Sequence, residues 1–155
     1  MKKMKRVVAG LLALGMAFAL TACGGKEQTV TYRMETEQSG LKMEDTMTLT
    51  AKGDLVQKMS EVIKVDTSSF EDEQREQINT AYDLLVEQYK AVNGVECTGA
   101  KTDSSYTITI DIDATGNAVQ ELSKQELLQV DGNADRISLK ATCSSLETVG
   151  YKKVE

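Results

Sequence analysis

One stretch of the chain has donor atoms spaced as in a calcium-binding loop. It runs from Asp111 to Asn117, with side-chain oxygens at alternate positions and Gly116 in the sixth place. A calcium loop needs a bidentate glutamate at its twelfth position, which is Leu122 here. Residues 131–135 begin in the same way, but Arg136 stands where that loop would need glycine. We therefore predict no metal site and interpret both stretches as strand ends and turns.

Two thiols could form a covalent bond within the chain. Cys97 lies beside Val95, Cys143 is four residues after Leu139, and both cysteines fall on predicted apolar faces. In an exported protein such a pair is a candidate disulfide, yet a free cysteine is also a common buried apolar residue. The sequence leaves both alternatives open. Catalysis by either thiol is disfavoured, because the chain has no histidine to activate it.

The residue types that are missing limit the chemistry of the whole chain. Its 155 residues include no histidine, no tryptophan and no proline, so the commonest general base and the commonest metal ligand are absent. An enzyme would have to work with carboxylates alone, and Asp111 and Asp113 would be the first suspects. We therefore expect a non-enzymatic protein without a cofactor, with a carboxylate-based enzyme as the less favoured alternative.

A third cysteine follows a pattern typical of export. The basic start Lys2–Arg6 is followed by the uncharged run Val7–Leu20, which is shorter than the roughly 20 residues of a membrane-spanning helix. This order is typical of a cleaved signal peptide. The run ends in Leu20-Thr21-Ala22-Cys23, the lipobox of bacterial lipoproteins. We predict that residues 1–22 are a lipoprotein signal peptide and that Cys23 is lipidated.

Lipidation of Cys23 predicts where the protein resides. Two or more acyl chains hold a protein stably at a bilayer, so we expect a lipid-anchored protein on the extracytoplasmic side of the bacterial cell membrane. Removal of residues 1–22 takes away four basic residues and no acidic one, so the net charge changes from −6 to −10. A chain this acidic is unsuited to nucleic acid and gains nothing from anionic lipids. We therefore expect the acyl chains on Cys23, without help from a basic surface, to hold the protein at the membrane.

The elements that would position these residues follow from periodicity. We predict that residues 23–29 are a lipidated cysteine and a flexible tether, and that residues 30–155 form one domain. Up to Asp66 the alternation is period-two with turns at Ser39-Gly40 and Lys52-Gly53-Asp54, which predicts a three-strand meander. Ser68 or Ser69 would cap the following helix, whose apolar stripe comprises Ile78, Tyr82, Leu85, Tyr89 and Val92.

The second half predicts a hairpin and further helices. Val95–Lys101 and Tyr106–Asp113 form the two strands, and residues 116–130 are predicted to be helical at least at their start. Ser138 caps a last helix through Val149, which Gly150 closes before a short tail. The predicted fold class is α+β, with an antiparallel sheet and helices packed on one of its faces.

A soft apolar surface could bind a small ligand between sheet and helix. The first three strands carry several methionines, and Tyr82 and Tyr89 lie opposite them on the helix. Methionine surfaces accept varied apolar ligands, although core filling is their more usual role. These methionines are Met34, Met43, Met47 and Met59.

Four segments of the chain resemble the YehR-like bacterial lipoproteins, which are small exported domains of unknown function. They are the lipobox, LTAKGDLV (Leu49–Val56), QYKAVNGV (Gln88–Val95) and GYKKV (Gly150–Val154). The resemblance implies one α+β domain on a lipid anchor and carries no catalytic residues with it. We expect an envelope lipoprotein that binds a small apolar ligand or a protein partner. An alternative is an accessory subunit of an envelope complex, which a flat polar surface would favour and an apolar groove would disfavour.

Overall fold

The computed structural model describes residues 25–130 and 136–154. Cys23 and the second candidate calcium loop, residues 131–135, lie outside the described residues. The strands are β1 (Glu27–Gln38), β2 (Leu41–Lys52), β3 (Leu55–Asp66), β4 (Val95–Lys101), β5 (Ser105–Asp113) and β6 (Lys152–Val154). The helices are α1 (Asp72–Lys90), α2 (Ala118–Lys124) and α3 (Leu139–Val149).

The strands form one six-stranded sheet in the order β4-β5-β3-β2-β1-β6, with antiparallel pairing throughout. The predicted meander β1-β2-β3 and the predicted hairpin β4-β5 are both confirmed. The hairpin joins the meander by pairing β5 with β3, and α1 makes the connection between them. The predicted α+β class is confirmed.

Alternating side chains give the sheet one buried face. In β2, Met47, Leu49 and Ala51 are fully buried, while the threonines between them are only partly covered. The same alternation in β5 buries every second residue from Tyr106 to Ile112. The helices pack on this buried face: the Tyr82 ring of α1 lies against Tyr106, and Tyr89 donates a hydrogen bond to the Leu127 carbonyl after α2.

The start of α1 differs from the prediction. Its N-cap is Glu71, whose backbone amide donates to Gln74 Oε1 at 3.2 Å, and neither Ser68 nor Ser69 fills that position. Ser68 instead donates its amide to Asp66 Oδ1, which places it in the turn after β3. The predicted apolar stripe is otherwise correct: Tyr82, Leu85, Tyr89 and Val92 are buried, and Ile78 is partly buried.

The C-terminal elements were partly foreseen. Ser138 caps α3 by accepting a hydrogen bond from the Ala141 amide, and Gly150 ends the helix with a φ of 108°. The helix predicted at the start of 116–130 is only α2, seven residues long. The predicted tail is a strand, because β6 pairs with β1 and adds an edge to the sheet.

The start of the domain is also different from the expected tether. β1 begins at Glu27, inside the segment 23–29 predicted to be flexible, and pairs there with Lys52 of β2. Just before it, the Gly53 amide donates to the Lys26 carbonyl at 3.1 Å. The first strand therefore starts closer to Cys23 than the sequence indicated.

Candidate functional site

The sheet face opposite the helices is open to solvent, and we call it the open face. Cross-strand hydroxyl pairs lie along it: Thr29 with Thr50 at 3.3 Å, and Thr31 with Thr48 at 3.2 Å. Toward β4 the surface adds charged groups of both signs, and Val62 and Val154 are its exposed large apolar side chains among the described residues. Its central residues are Thr29, Thr31, Arg33, Thr46, Thr48, Thr50, Lys58, Ser60, Val62, Thr98, Thr109 and Asp111.

Two open depressions lie at the ends of this surface. One is next to Lys58, Glu96 and Asp111, and the other lies between Glu35, Lys42 and Asp66 at the opposite end of the strands. Most of the residues that line both depressions are polar or charged. A polar partner suits such a surface better than a small apolar ligand.

The space between sheet and helices, where an apolar pocket was expected, is filled by side chains. Met47 and Met59 are fully buried, and the Tyr82 hydroxyl contacts Met43 Sδ at 3.6 Å. Tyr89 is also buried, so the methionines and tyrosines pack against each other as core. The core-filling alternative for these residues is the one that the structure adopts.

Two carboxyl groups lie inside this core, and sequence reasoning missed them. Asp45 of β2 and Glu61 of β3 are 3% and 1% exposed. The register places Asp45 opposite Ile63 and Glu61 opposite Met47, which makes the two acids diagonal neighbours on the buried face. Both are in phase with the apolar residues of their strands, and that was the signal available in the sequence.

The two acids differ in their hydrogen bonds. The Tyr151 hydroxyl donates to Asp45 Oδ2 at 2.7 Å, whereas the described residues offer no donor to the other oxygen of Asp45 or to either oxygen of Glu61. Burial raises the pKa of both acids, and the charge of Asp45 raises the pKa of Glu61 further. Glu61 therefore holds its proton more tightly than an exposed glutamate does, and Asp45 does the same relative to an exposed aspartate.

The two aspartates suspected of catalysis have different surroundings. Asp113 accepts hydrogen bonds from the Thr115 amide at 2.9 Å and the Thr115 hydroxyl at 2.6 Å, which lower its pKa. It therefore closes the turn after β5, as the strand-end interpretation predicted. Asp111 is exposed on the open face, opposite Ser60 and Glu96. The predicted turn at the first calcium-like stretch is thus present.

Both described cysteines are free, so of the two alternatives the disulfide is wrong for this fold. Cys97 is buried in the edge strand β4, and Cys143 of α3 lies beside Tyr32 of β1. Four strand spacings of ~4.8 Å, about 19 Å in all, separate β4 from β1, whereas disulfide-bonded Cα atoms are within ~7 Å. Burial raises the pKa of Cys97 to about 11, so this thiol is a poor nucleophile.

Helices of the described part of the chain are each too short or too polar to cross a membrane. The fold and the open face together define the class: a small α+β domain with one antiparallel sheet, helices on one side and a polar surface on the other. The chain belongs to the family described as "Protein of unknown function (DUF1307)", whose model matches residues 28–152.

Relatives of known sequence and structure agree with this assignment. The chain is 27% identical to the uncharacterized lipoprotein Lmo0207 of Listeria monocytogenes over 155 residues, which cover 99% of each chain. It is 26% identical to the uncharacterized lipoprotein Lin0239 of Listeria innocua, covering 100% of this chain and 99% of that one. The solution structure of the Escherichia coli YehR protein matches with a TM-score of 0.57 at 22% identity, covering 85% of this chain and 94% of YehR. The predicted resemblance to YehR-like lipoproteins is confirmed.

Proposed function

We propose that this protein is a lipid-anchored lipoprotein on the extracytoplasmic side of the bacterial cell membrane, acylated on Cys23. The basic, apolar and lipobox segments of the sequence support this proposal. So do the two relatives named as lipoproteins, which align with this chain over nearly their whole length. A pair of acyl chains supplies stable attachment without a spanning helix.

The domain itself is a non-enzymatic binding module that presents its open face to a protein partner in the envelope. The observation that carries this proposal is the division of the sheet into a face covered by helices and a face left to solvent. Hydroxyls and charges of both signs on the open face suit a polar protein surface, with which they exchange hydrogen bonds and ion pairs. The filled core favours this role over that of a carrier for a small apolar ligand.

The anchor is tested by labelling cells with an alkyne fatty acid. The full-length protein should incorporate the label and fractionate with membranes, and Cys23→Ser should abolish both. Cys143→Ser is the matched control, because it also removes a thiol but leaves the lipobox intact. Label that persists in Cys23→Ser would refute acylation at this residue.

The binding surface is tested by photo-crosslinking in living cells. A photoreactive phenylalanine replaces Thr48 or Thr109 on the open face, or Leu84 or Val149 on the helix side, where these side chains are 62% and 50% exposed. We expect both open-face positions to give an adduct of one mass, and the helix-side positions to give none.

A second substitution makes this result specific. Thr46→Arg should remove the adduct formed from position 48, because a long charged side chain two residues away on the same face of the strand keeps the partner away. Leu84→Arg, which adds the same charge on the helix side, should leave the adduct unchanged. Adducts that form equally from both sides of the domain, or from the helix side alone, would contradict the proposal.

A further inference from the structure

The chain enters the domain at the turn between β2 and β3. The Gly53 amide of this turn donates to the Lys26 carbonyl at 3.1 Å, and Gln28 Nε2 donates to the Gly53 carbonyl at 2.7 Å. Gly25 lies so close that an added side-chain carbon would overlap the backbone of Gly53. The first described residues are therefore seated against this turn.

Helix α3 fixes the same end of the sheet. The Leu139 amide donates to the Asp54 carbonyl at 2.8 Å, while the Asp54 carboxylate accepts from the Ser138 hydroxyl at 2.7 Å and the Lys140 amide at 2.8 Å. We call this end, made of residues 25–28, 52–55 and 138–140, the proximal end. Its bonds join the chain entry, a hairpin turn and a helix start into one unit.

The covalent path from the proposed lipid to this end is very short. Cys23 precedes Gly25 by two residues, which span at most about 7 Å even when fully extended. Acyl chains on Cys23 would therefore bring the proximal end to the lipid headgroups. The exposed lysines Lys26, Lys52 and Lys140 lie at this end together with two acids, Glu27 and Asp54, so its net charge is +1.

The opposite end of the strands has a different charge. The 12 residues of β1 reach about 37 Å from Glu27 to Gln38 at ~3.4 Å per residue. Carboxylates outnumber basic residues there: the acids include Glu35, Glu37, Glu44, Asp66, Asp72 and Asp103, and the basic residues include Lys42, Lys64, Arg75 and Lys101. An anionic bilayer attracts lysines and repels carboxylates within a Debye length of ~8–10 Å. The net charge of the whole domain still gives no attraction to an anionic bilayer, but its distribution favours one orientation of the domain once the acyl chains hold it there.

We propose that the proximal end is a bilayer-contacting surface, at which Lys26, Lys52 and Lys140 meet anionic lipid headgroups while the strands lead away from the membrane. This inference rests on the proposed acylation of Cys23. In this orientation the acidic end lies farthest from the bilayer, and the open face runs from the membrane outwards, where a partner can reach it from the side.

The orientation is tested by tryptophan quenching, because the chain has no tryptophan of its own. Lys52→Trp and Lys42→Trp are a matched pair: both replace an exposed lysine on the same face of β2, ten positions and about 34 Å apart. The full-length acylated variants are reconstituted into vesicles of phosphatidylcholine and phosphatidylglycerol that contain a lipid with a nitroxide on its headgroup. We expect Lys52→Trp to lose about half of its fluorescence or more, as a side chain at headgroup depth should, and Lys42→Trp to lose none.

A second pair of tryptophan variants controls for any effect of removing a lysine charge. Glu27→Trp and Glu37→Trp repeat the comparison on β1 with the opposite change of charge, and only the first should be quenched. Equal quenching within either pair, or stronger quenching at the distal position, would overturn the orientation while vesicle flotation still supports the anchor. Variants that do not float with the vesicles would overturn the anchor, and the orientation with it.

Discussion

The buried pair of acids predicts an unusual dependence of stability on pH. In the folded protein, burial and the neighbouring Asp45 raise the pKa of Glu61 well above the ordinary value of 4.5. The native state therefore binds this proton more tightly than the unfolded chain does. Its contribution to stability is fully present below the unfolded-state pKa and is lost as the pH rises towards the native pKa.

Glu61→Gln removes this titration with little change of shape, since a glutamine amide is nearly the same size and shape as a protonated glutamate carboxyl. At pH 4 we expect the variant to be within about 1 kcal/mol of the wild type, because both side chains are neutral. Between pH 4.5 and the native pKa of Glu61, the variant should gain about 1.4 kcal/mol over the wild type for each pH unit. The substitution should therefore stabilise the protein at neutral pH.

The assay is urea unfolding of the domain at half-unit pH steps from 4 to 8, followed by circular dichroism. Glu96→Gln on β4 is the control, because Glu96 is exposed and its substitution should leave the pH profile of the wild type unchanged. The other titratable groups that face the pair, Tyr89 and Tyr151, stay neutral throughout, since burial raises the pKa of each. Parallel profiles for wild type and Glu61→Gln would refute a raised pKa of Glu61 in the folded protein.

Three further substitutions or modifications test other parts of the structure. Tyr151→Phe removes the donor to buried Asp45 and should lower the free energy of unfolding by about 2–3 kcal/mol. Tyr32→Phe should cost less, because the Tyr32 hydroxyl bonds to the carboxylate of Glu147, which is not buried. Urea unfolding measures both losses, and equal losses would contradict the role of Tyr151 as donor to a buried carboxyl. Alkylation without a reductant should modify Cys143 in the folded protein and Cys97 only after denaturation, as measured by mass spectrometry. A cysteine that is alkylated in the denatured protein only after a reductant is added would contradict the free pair. Gly25→Val should overlap the β2–β3 turn and speed amide hydrogen exchange there, and unchanged exchange would show that the chain entry is not seated on this turn.

The elements of the fold were predictable where local chemistry decides them. The period-two pattern of β2 and the apolar stripe of α1 each indicate which side of the element faces the core. The capping residues Ser138 and Gly150 indicate where α3 begins and ends. The strand β6 was missed because three residues carry no periodicity, and only pairing with β1 makes them a strand. The N-cap of α1 was misplaced because several polar residues in a row could each have filled it.

The candidate site was less predictable, since it depends on contacts between distant segments. An acid among apolar residues, as at Asp45 and Glu61, does not by itself indicate burial, because a buried carboxyl needs a partner that the local sequence does not show. That partner, Tyr151, is 106 residues from Asp45. The separation of Cys97 from Cys143 likewise follows from strand order, which places their segments at opposite sides of the sheet.

The mass of the amino-terminal peptide of the mature protein tests the proposed anchor most directly. Protein extracted with detergent from cells that make the full-length chain is digested with protease, and the first peptide is analysed by mass spectrometry. We predict that this peptide begins at Cys23 and carries a diacylglyceryl group on its sulfur. A peptide that begins at any other residue, or an unmodified Cys23 thiol, would contradict both the membrane anchor and the orientation inferred from it.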